Sequence, residues 1–194
     1  LPSFPQIAAN FGVPVSTVEL SLATFFVGVA LGQLLYGTAA DRFGRKRPLY
    51  VGLTIYCVAS LLCAVSPNIE TLIVLRFFQA LGACGGIVIA RAMVRDLFDH
   101  SESARVFSLL MLVMGVAPIL APLLGGYVAL LFGWRAIFGV VAFMSAVVLV
   151  AVYRFLPETR EPNPDVRVSQ AAAIYGRLLR DRNFLGFTLA GGFA

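Results

Sequence analysis

A charged segment between two apolar stretches, residues 37–48, contains the residue types that a conformational switch requires. It holds a turn glycine, one acid and four basic residues, namely Gly44, Asp41, Arg42, Arg45, Lys46 and Arg47. An arginine can form a bidentate pair with a carboxylate, and an acid can accept hydrogen bonds from a neighbouring helix N-terminus. We therefore predict a charge network around Asp41 and Arg45. A plain positively charged anchor is the alternative, and it explains the basic residues but not the acid.

Arg76 and Gln79 share one face of a predicted helix inside another apolar stretch. At about 100° per residue they lie within about 80° of Ala83, Gly86 and Ala90. An arginine that faces lipid at the membrane centre costs at least ~2.5 kcal/mol, so Arg76 is expected to face a partner or an aqueous cavity. Snorkelling to the membrane surface is the alternative, because Arg76 lies close to the end of its stretch.

A stripe of prolines and small residues marks a third apolar stretch. At about 100° per residue, its members fall within about 100° of helix surface. They are Pro118, Pro122, Gly125, Gly126 and Ala129. Small residues allow close helix packing, and prolines free backbone carbonyls and permit a bend. We predict a bent helix face that packs closely against a neighbouring surface, with Ala121 on its flank. An ordinary membrane helix rich in Pro and Gly is the alternative.

Other site chemistry is not indicated. The three cysteines lie in apolar runs at a spacing that matches no metal or redox motif, and His100 has no clustered ligands. The glycine-rich run at 82–86 lies in an apolar stretch and lacks the Lys-Ser/Thr of a phosphate loop. No nucleophile, base and metal constellation is visible, so we predict no enzyme, no cofactor and no metal.

The composition is that of an integral membrane protein. Hydrophobic residues make up 59% and charged residues 13% of the chain, against about 25% charged in soluble domains, and the mean hydropathy is +0.88. The formal charge of +5 is better explained by cytoplasmic loops than by a nucleic-acid interface. Five apolar stretches are long enough to span a bilayer, at 20–40, 49–65, 72–94, 106–132 and 136–153.

Basic residues alternate between the loops, which predicts their orientation. The 41–48 segment, the loop with Arg95 and Arg105, and the polar stretch after residue 156 are rich in arginine and are expected to face the cytoplasm. Asp96 then lies at the cytoplasmic end of its helix and is the nearest candidate partner for Arg45. A basic amphipathic helix is predicted at 168–180, and an incomplete apolar segment begins at 183.

Four motifs together resemble the major facilitator superfamily. The run Gly37-x-x-x-Asp41-Arg42-x-Gly44-Arg45-Lys46 resembles the loop between its second and third helices, and Arg76-x-x-Gln79-x-x-Gly82 resembles its fourth-helix motif. The run Ala121-Pro122-x-x-Gly125-Gly126 resembles the fifth-helix antiporter motif, although alanine stands at 121 where glycine is usual. Leu-Pro-Glu-Thr at 156–159 resembles the exit from the sixth helix. The Arg91 to Asp96 run and the paired prolines most resemble the Bcr/CflA branch of drug:proton antiporters.

The resemblance implies an all-α, polytopic membrane protein with helices 2–6 and the start of helix 7 of a twelve-helix fold. Residues 1–156 would be an amino-terminal half lacking helix 1, residues 157–182 a cytoplasmic linker, and residues 183–194 the start of the second half. It further implies that Arg76 and Gln79 serve the substrate or proton pathway. The Asp41, Arg45 and Asp96 network would stabilise the outward-facing state.

None of the ten acids lies near the middle of a predicted span, yet a proton-coupled pump needs a titratable group there. The family places an acid on the first helix, which is expected to precede this chain. We predict a monomeric efflux transporter that exchanges hydrophobic drugs for protons in the bacterial inner membrane, with the lipid bilayer as its other partner and no nucleic acid. The alternatives are a metabolite facilitator or symporter, and a membrane scaffold or receptor that transports nothing.

Overall fold

The computed structural model describes residues 3–163, together with Gly176, Arg180, Leu185 and Gly186. Residues 3–163 form helices and short connections, and no strand occurs among them. The six helices are α1 (Phe4–Phe11), α2 (Val15–Phe43), α3 (Lys46–Ala64), α4 (Ile69–Leu97), α5 (His100–Phe132) and α6 (Trp134–Phe155).

Helices α2 to α6 are each long and apolar enough to cross a membrane, which confirms the five predicted spans. The observed helices extend beyond the predicted apolar stretches at most ends. The largest extension is in α5, which begins at His100 where hydropathy predicted residue 106. The short helix α1 was not predicted. The predicted linker helix and the segment from residue 183 lie outside the described residues, apart from four isolated positions.

Polar side chains account for two of the early helix starts. The Asn68 Oδ1 atom accepts a hydrogen bond from the Thr71 backbone at 2.8 Å and caps α4. The Asp99 Oδ1 atom accepts from the backbones of Glu102 at 2.9 Å and Ser101 at 3.1 Å and caps α5. These hydrogen bonds, with that from the Glu102 backbone contributing most, lower the pKa of Asp99. A polar first turn can therefore be helical although hydropathy does not detect it.

Helix α4 lies at the centre of the bundle and packs against both α2 and α3, while α3 also packs against α6. Small residues permit the close approach. Gly28 and Gly32 of α2 are buried against α4, as expected for a small-x-x-x-small face. A Cβ atom on Gly82 would lie 2.5 Å from the Tyr56 backbone nitrogen and 2.6 Å from the Gly52 oxygen of α3. Only glycine fits there without moving two helix backbones apart.

Helix α5 is the least embedded of the long helices in the described chain. Ser103 and Ala129 are its buried residues, and the helix continues through both Pro118 and Pro122. Each proline lacks the N–H that would bond the carbonyl four residues earlier, so the carbonyls of Met114 and Pro118 lose their usual helical partners. The freeing of backbone carbonyls that the sequence predicted for this helix therefore follows from its two prolines.

An arginine joins three parts of the bundle at the end opposite the 41–48 segment. Arg135 Nη1 donates to Asn10 Oδ1 at 2.7 Å, and Nη2 donates to the Ser66 carbonyl at 3.3 Å. The guanidinium carbon lies 4.3 Å from the ring centre of Trp134 and 5.7 Å from that of Phe11. The end of α1, the residues after α3 and the start of α6 are thus held together by one cation.

Candidate functional site

Arg45 is the centre of a charge cluster, which we define as Asp41, Arg45 and Asp96. Its Nε atom donates to Asp96 Oδ2 at 2.7 Å and its Nη2 atom approaches Asp96 Oδ1 at 3.5 Å. Its Nη1 atom donates to Asp41 Oδ1 at 2.9 Å. The cluster therefore joins the ends of α2 and α4 to the residue that precedes α3. The predicted contact between Arg45 and Asp96 is present.

The three members of the charge cluster differ in burial. The Arg45 side chain is 5% exposed, Asp96 18% and Asp41 45%. Burial by itself lowers the pKa of Arg45, but the hydrogen bonds and charges of Asp96 and Asp41 outweigh it and raise that pKa. Arg45 is therefore always charged. Because removing one partner of a buried pair leaves the other uncompensated, the Arg45–Asp96 bond is the harder of the two to break.

Three other residues of the predicted switch do not place their side chains in the charge cluster. Gly37 makes no cluster contact, the Arg42 guanidinium lies 5.2 Å from the ring centre of Phe43, and the Lys46 amine lies 5.7 Å from that of Tyr50. The charge cluster therefore consists of the three residues predicted to pair, and the switch roles of Gly37, Arg42 and Lys46 stay predictions. A flexible cation beside an apolar helix surface covers an aromatic ring rather than sharing an acid that is already paired.

Glu158, two residues beyond the helix cap at Leu156, contacts the start of α3 and was not assigned a role from the sequence. Its Oε1 atom accepts from the Arg45 backbone at 2.7 Å, and its Oε2 atom accepts from the Lys46 backbone at 3.1 Å. Arg160 Nη1 lies 3.5 Å from Asp41 Oδ1. The available signal was an acid just after a helix end, on the same predicted side as the start of α3.

A second site lies toward the opposite end of the bundle, in a cavity of about 460 Å³ that we call the Arg76 cavity. Residues from all six helices line it. Its wall is largely apolar and aromatic, with Phe25, Tyr56, Trp134 and Phe138 among the lining residues. Arg76 and Gln79 supply its charged and amide groups. A pocket of this kind, apolar with a few convergent polar groups, is typical of small-molecule sites.

Arg76 is held within the bundle by a chain of hydrogen bonds. Its Nη1 atom donates to Gln79 Oε1 at 2.6 Å, and the Gln79 Nε2 atom donates to Ser60 Oγ at 2.7 Å. Ser60 Oγ in turn donates to the Tyr56 carbonyl at 2.6 Å. This chain fixes which way the Gln79 amide points, and it supports the cavity interpretation of Arg76 over snorkelling. Ser60 was not identified from the sequence because it lies on another helix.

An aromatic ring also holds the Arg76 guanidinium. Its central carbon lies 4.2 Å from the ring centre of Phe25 and 5.9 Å from that of Phe138. Among residues 3–163, no carboxylate lies within ion-pair distance of Arg76, and none lines the cavity. A guanidinium has five N–H donors, of which one bonds Gln79. Donors therefore remain for a bound group or for an acid from another part of the protein.

The proline stripe faces the same cavity. Pro118, Pro122 and Gly125 line it, whereas Gly126 does not. Ala121, which was predicted on the flank of the stripe, also lines the cavity. The helical-wheel angle placed Ala121 outside the narrow stripe, but the cavity wall is wider than the stripe. The two predicted sites on α4 and α5 are thus parts of one cavity.

The described residues contain no group of three His, Cys, Asp or Glu side chains that could hold a metal ion. Cys63 and Cys84 are buried and Cys57 is partly buried, all as free thiols. Cys84 Sγ donates to the Val29 carbonyl at 3.2 Å, which is a packing contact between α4 and α2. The cysteines have the packing role expected of them.

Three bacterial proteins are similar to the chain over most of its length. An uncharacterised transporter of the same superfamily, YdgK from Bacillus subtilis, is 40% identical over 100% of this chain and 49% of its own length. A bicyclomycin resistance protein homologue from Haemophilus influenzae is 32% identical over 100% of this chain and 49% of its own length. A chloramphenicol resistance protein from Pseudomonas aeruginosa is 37% identical over 82% of this chain and 38% of its own length. The chain spans about half the length of the curated relatives it matches.

A solved structure shares the fold. The crystal structure of the peptide transporter POT, an E310Q mutant in complex with alafosfalin, aligns with a TM-score of 0.67 over 94% of this chain and 38% of that one, at 21% identity. The sequence model of the Major Facilitator Superfamily matches residues 1–194. The family is one of transporters, and the Bacillus subtilis relative is named as a transporter, in agreement with the prediction that the chain is not an enzyme. The chain, a multi-pass membrane protein with five apolar helices in its described part, therefore belongs to the Major Facilitator Superfamily.

Proposed function

We propose that this chain is the amino-terminal half of a transporter that expels hydrophobic drugs in exchange for protons across a bacterial inner membrane. The observation that carries the proposal is the Arg76 cavity, in which an apolar and aromatic wall surrounds Arg76 and Gln79. Aromatic rings and small residues suit varied hydrophobic molecules, because such contacts need no fixed hydrogen-bond pattern. Two of the similar proteins are named for resistance to drugs, which supports this substrate class.

Proton coupling requires an acid whose protonation changes with substrate binding. The lining of the cavity in the described chain includes a cation but no acid. A carboxylate brought beside Arg76 by another helix would lose its proton more readily, because an adjacent positive charge favours the ionised form. Arg76 is therefore positioned to promote proton release from a neighbouring acid. We assign it that role, and we assign Gln79 the role of holding the guanidinium.

Alternating access requires that one side of the protein opens as the other closes. The charge cluster lies at the end predicted to face the cytoplasm, and its bonds connect three helix ends. Breaking those bonds would free these ends to separate. We propose that the cluster stabilises the state that is closed to the cytoplasm, and that Pro118, Pro122, Gly125 and Gly126 allow α5 to move against the second half.

The proposal is tested by replacing Arg76 in the complete transporter. In reconstituted vesicles with a pH-sensitive dye, Arg76→Ala should reduce drug-driven proton release by about tenfold or more. Arg76→Lys should retain part of it, because lysine keeps the charge but loses the planar fork. The control is Arg95→Ala, which removes an exposed cation from the same helix.

Three results would count against the proposal. Unchanged coupling in Arg76→Ala would show that the cavity arginine serves no transport step. Accumulation of the drug inside cells, rather than its expulsion, would favour a symporter or facilitator of the same fold. Loss of activity in Arg95→Ala equal to that in Arg76→Ala would show that the effect is a general one of removing charge from α4.

A further inference from the structure

We propose that Glu158 is a positioning residue for the charge cluster, through which the segment after α6 fastens the cytoplasmic end of the bundle. The inference rests on the proposed function only in assigning a switching role to the cluster. Glu158 holds the backbone at the start of α3, while Asp96 and Asp41 hold the side chain of the same Arg45. Arg45 is thus held both at its backbone and at its side chain.

The start of α3 lacks a cap of its own. Arg45 occupies the N-cap position in a helical conformation, and no side chain within that turn bonds the free N–H groups. The first N–H groups of a helix have no partner inside the helix and attract negative charge. Glu158 supplies this partner from 113 positions further along the chain. The carboxylate accepts from both Arg45 N and Lys46 N, so it satisfies two of these groups together.

Gly44 makes room for this contact. Its φ angle of +81° belongs to the left-handed region that glycine adopts readily. A Cβ atom at this position would lie 2.9 Å from Glu158 Oε2 and 3.1 Å from the Arg160 carbonyl. A larger residue would therefore have to displace the segment after α6 as well as strain the backbone. The glycine of the motif thus has a specific partner in residues 158–160.

The same segment reaches the cluster at a second point. Arg160 Nη1 lies 3.5 Å from the Asp41 oxygen that Arg45 Nη1 also contacts. Arg160 is 49% exposed and Asp41 45%, so water can replace this ion pair readily. A displacement of the segment would therefore release the Arg45 backbone and change the charge around Asp41 together. The predicted linker continues from this segment, so its movements would reach the switch through Glu158.

The test compares Glu158→Gln, which keeps the size but loses the charge, with Glu161→Gln, an exposed acid three positions later, in the complete transporter. A single cysteine at Ala90, on the Arg76 face of α4 toward the cluster end, reports opening through its labelling rate with an impermeant thiol reagent in everted vesicles. We expect labelling about fivefold faster in Glu158→Gln than in wild type or Glu161→Gln. Glu158→Asp should restore part of the wild-type rate.

A second set of variants separates positioning from general destabilisation. If Glu158 acts through Arg45, then adding Glu158→Gln to Arg45→Ala should change the labelling rate little beyond Arg45→Ala alone. Equal labelling in Glu158→Gln and Glu161→Gln, or a full additional effect in the Arg45→Ala background, would overturn the inference. The labelling needs no transported drug, so this outcome is independent of whether the proposed substrates are correct.

Discussion

Arg45 connects four parts of the chain through one side chain and one backbone N–H. Its guanidinium bonds Asp41 at the end of α2 and Asp96 at the end of α4. Its backbone begins α3 and bonds Glu158 after α6. Since each partner belongs to a different element, a displacement of any one of these elements would alter the contacts of Arg45. Arg45 therefore links these four parts of the chain through contacts with three acids.

We predict that Arg45→Ala slows drug efflux more than Asp41→Asn does, while both variants still insert into the membrane. Arg45→Ala leaves Asp96 without a partner at a mostly buried position, whereas Asp41 is nearly half exposed and can be solvated. The expected loss is about tenfold for Arg45→Ala and a few-fold for Asp41→Asn. Initial rates of efflux, divided by the amount of protein in the membrane, provide the measurement.

Arg47→Ala is the control, because Arg47 is an exposed cation in the same segment and outside the charge cluster. If efflux by Arg45→Ala equals that of Arg47→Ala, the cluster has no switching role. The segment would then be the positively charged anchor that the sequence also allowed.

At the scale of elements, α5 differs from the other long helices because it carries two prolines and few buried residues. It closes one wall of the Arg76 cavity without packing deeply against the bundle. A helix held in this way can shift with a smaller loss of contacts than α4, which is packed on two sides. The cavity wall is therefore built partly from the long helix that is least buried within the described chain.

We predict that Gly125→Leu and Gly126→Leu affect transport differently. Gly125 lines the cavity, so leucine there should occupy substrate space and raise KM about tenfold. Gly126 lies on the stripe but outside the cavity lining, so leucine there should lower kcat by hindering contact with the second half. Gly115→Leu is the control, because a Cβ atom at Gly115 would meet no atom within 4 Å and Gly115 does not line the cavity.

The test is to measure KM and kcat for a single drug in all three leucine variants. Similar values for Gly125→Leu and Gly115→Leu would mean that the α5 wall does not touch the substrate. A Gly126→Leu variant with wild-type kcat would remove the proposed closing role of the stripe.

At the scale of the whole molecule, the described chain places the 41–48 segment and residues 158–160 at the same end of the bundle. Both were predicted to face the cytoplasm from their basic residues. We predict that cysteines at Arg47 and Arg160 are labelled by an impermeant reagent in everted vesicles but not in intact cells. A cysteine at Asn68, which lies between α3 and α4, should show the opposite pattern. Labelling of all three from one side would contradict the topology.

The number of spans and the family could be predicted from the sequence, because long apolar stretches and local motifs are both properties of neighbouring residues. Helix boundaries were less accurate, since Asp99 starts α5 within a polar turn that hydropathy does not register. The Arg45–Asp96 contact could be inferred from topology alone. The contact between Glu158 and the Arg45 backbone could not be inferred. Several acids were predicted on the same side of the membrane, and which of them reaches the start of α3 depends on the path of the chain after α6.

The Arg76 cavity shows a similar limit. Helical-wheel angles identified the residues of α4 and α5 that share a face, but each wheel describes one helix. Ser60 and Phe25 come from α3 and α2, and only the packing of the bundle brings them to Gln79 and Arg76. The set of residues that line the cavity, which includes Ala121, likewise depends on how several helices pack together.

The two ends of the bundle are closed by arginines in unlike surroundings. Arg135 lies against the rings of Trp134 and Phe11 and bonds two uncharged oxygens, whereas Arg160 at the other end bonds an exposed acid in open water. Dissolved ions weaken attraction between exposed opposite charges, and they affect contacts with rings and amides far less. Ionic strength would therefore weaken the pair between Arg160 and Asp41, but it would affect the buried Arg45–Asp96 pair at the same end and the contacts of Arg135 much less. Of these two arginines, Arg160 is therefore the one whose contact depends on the salt concentration of the surrounding water.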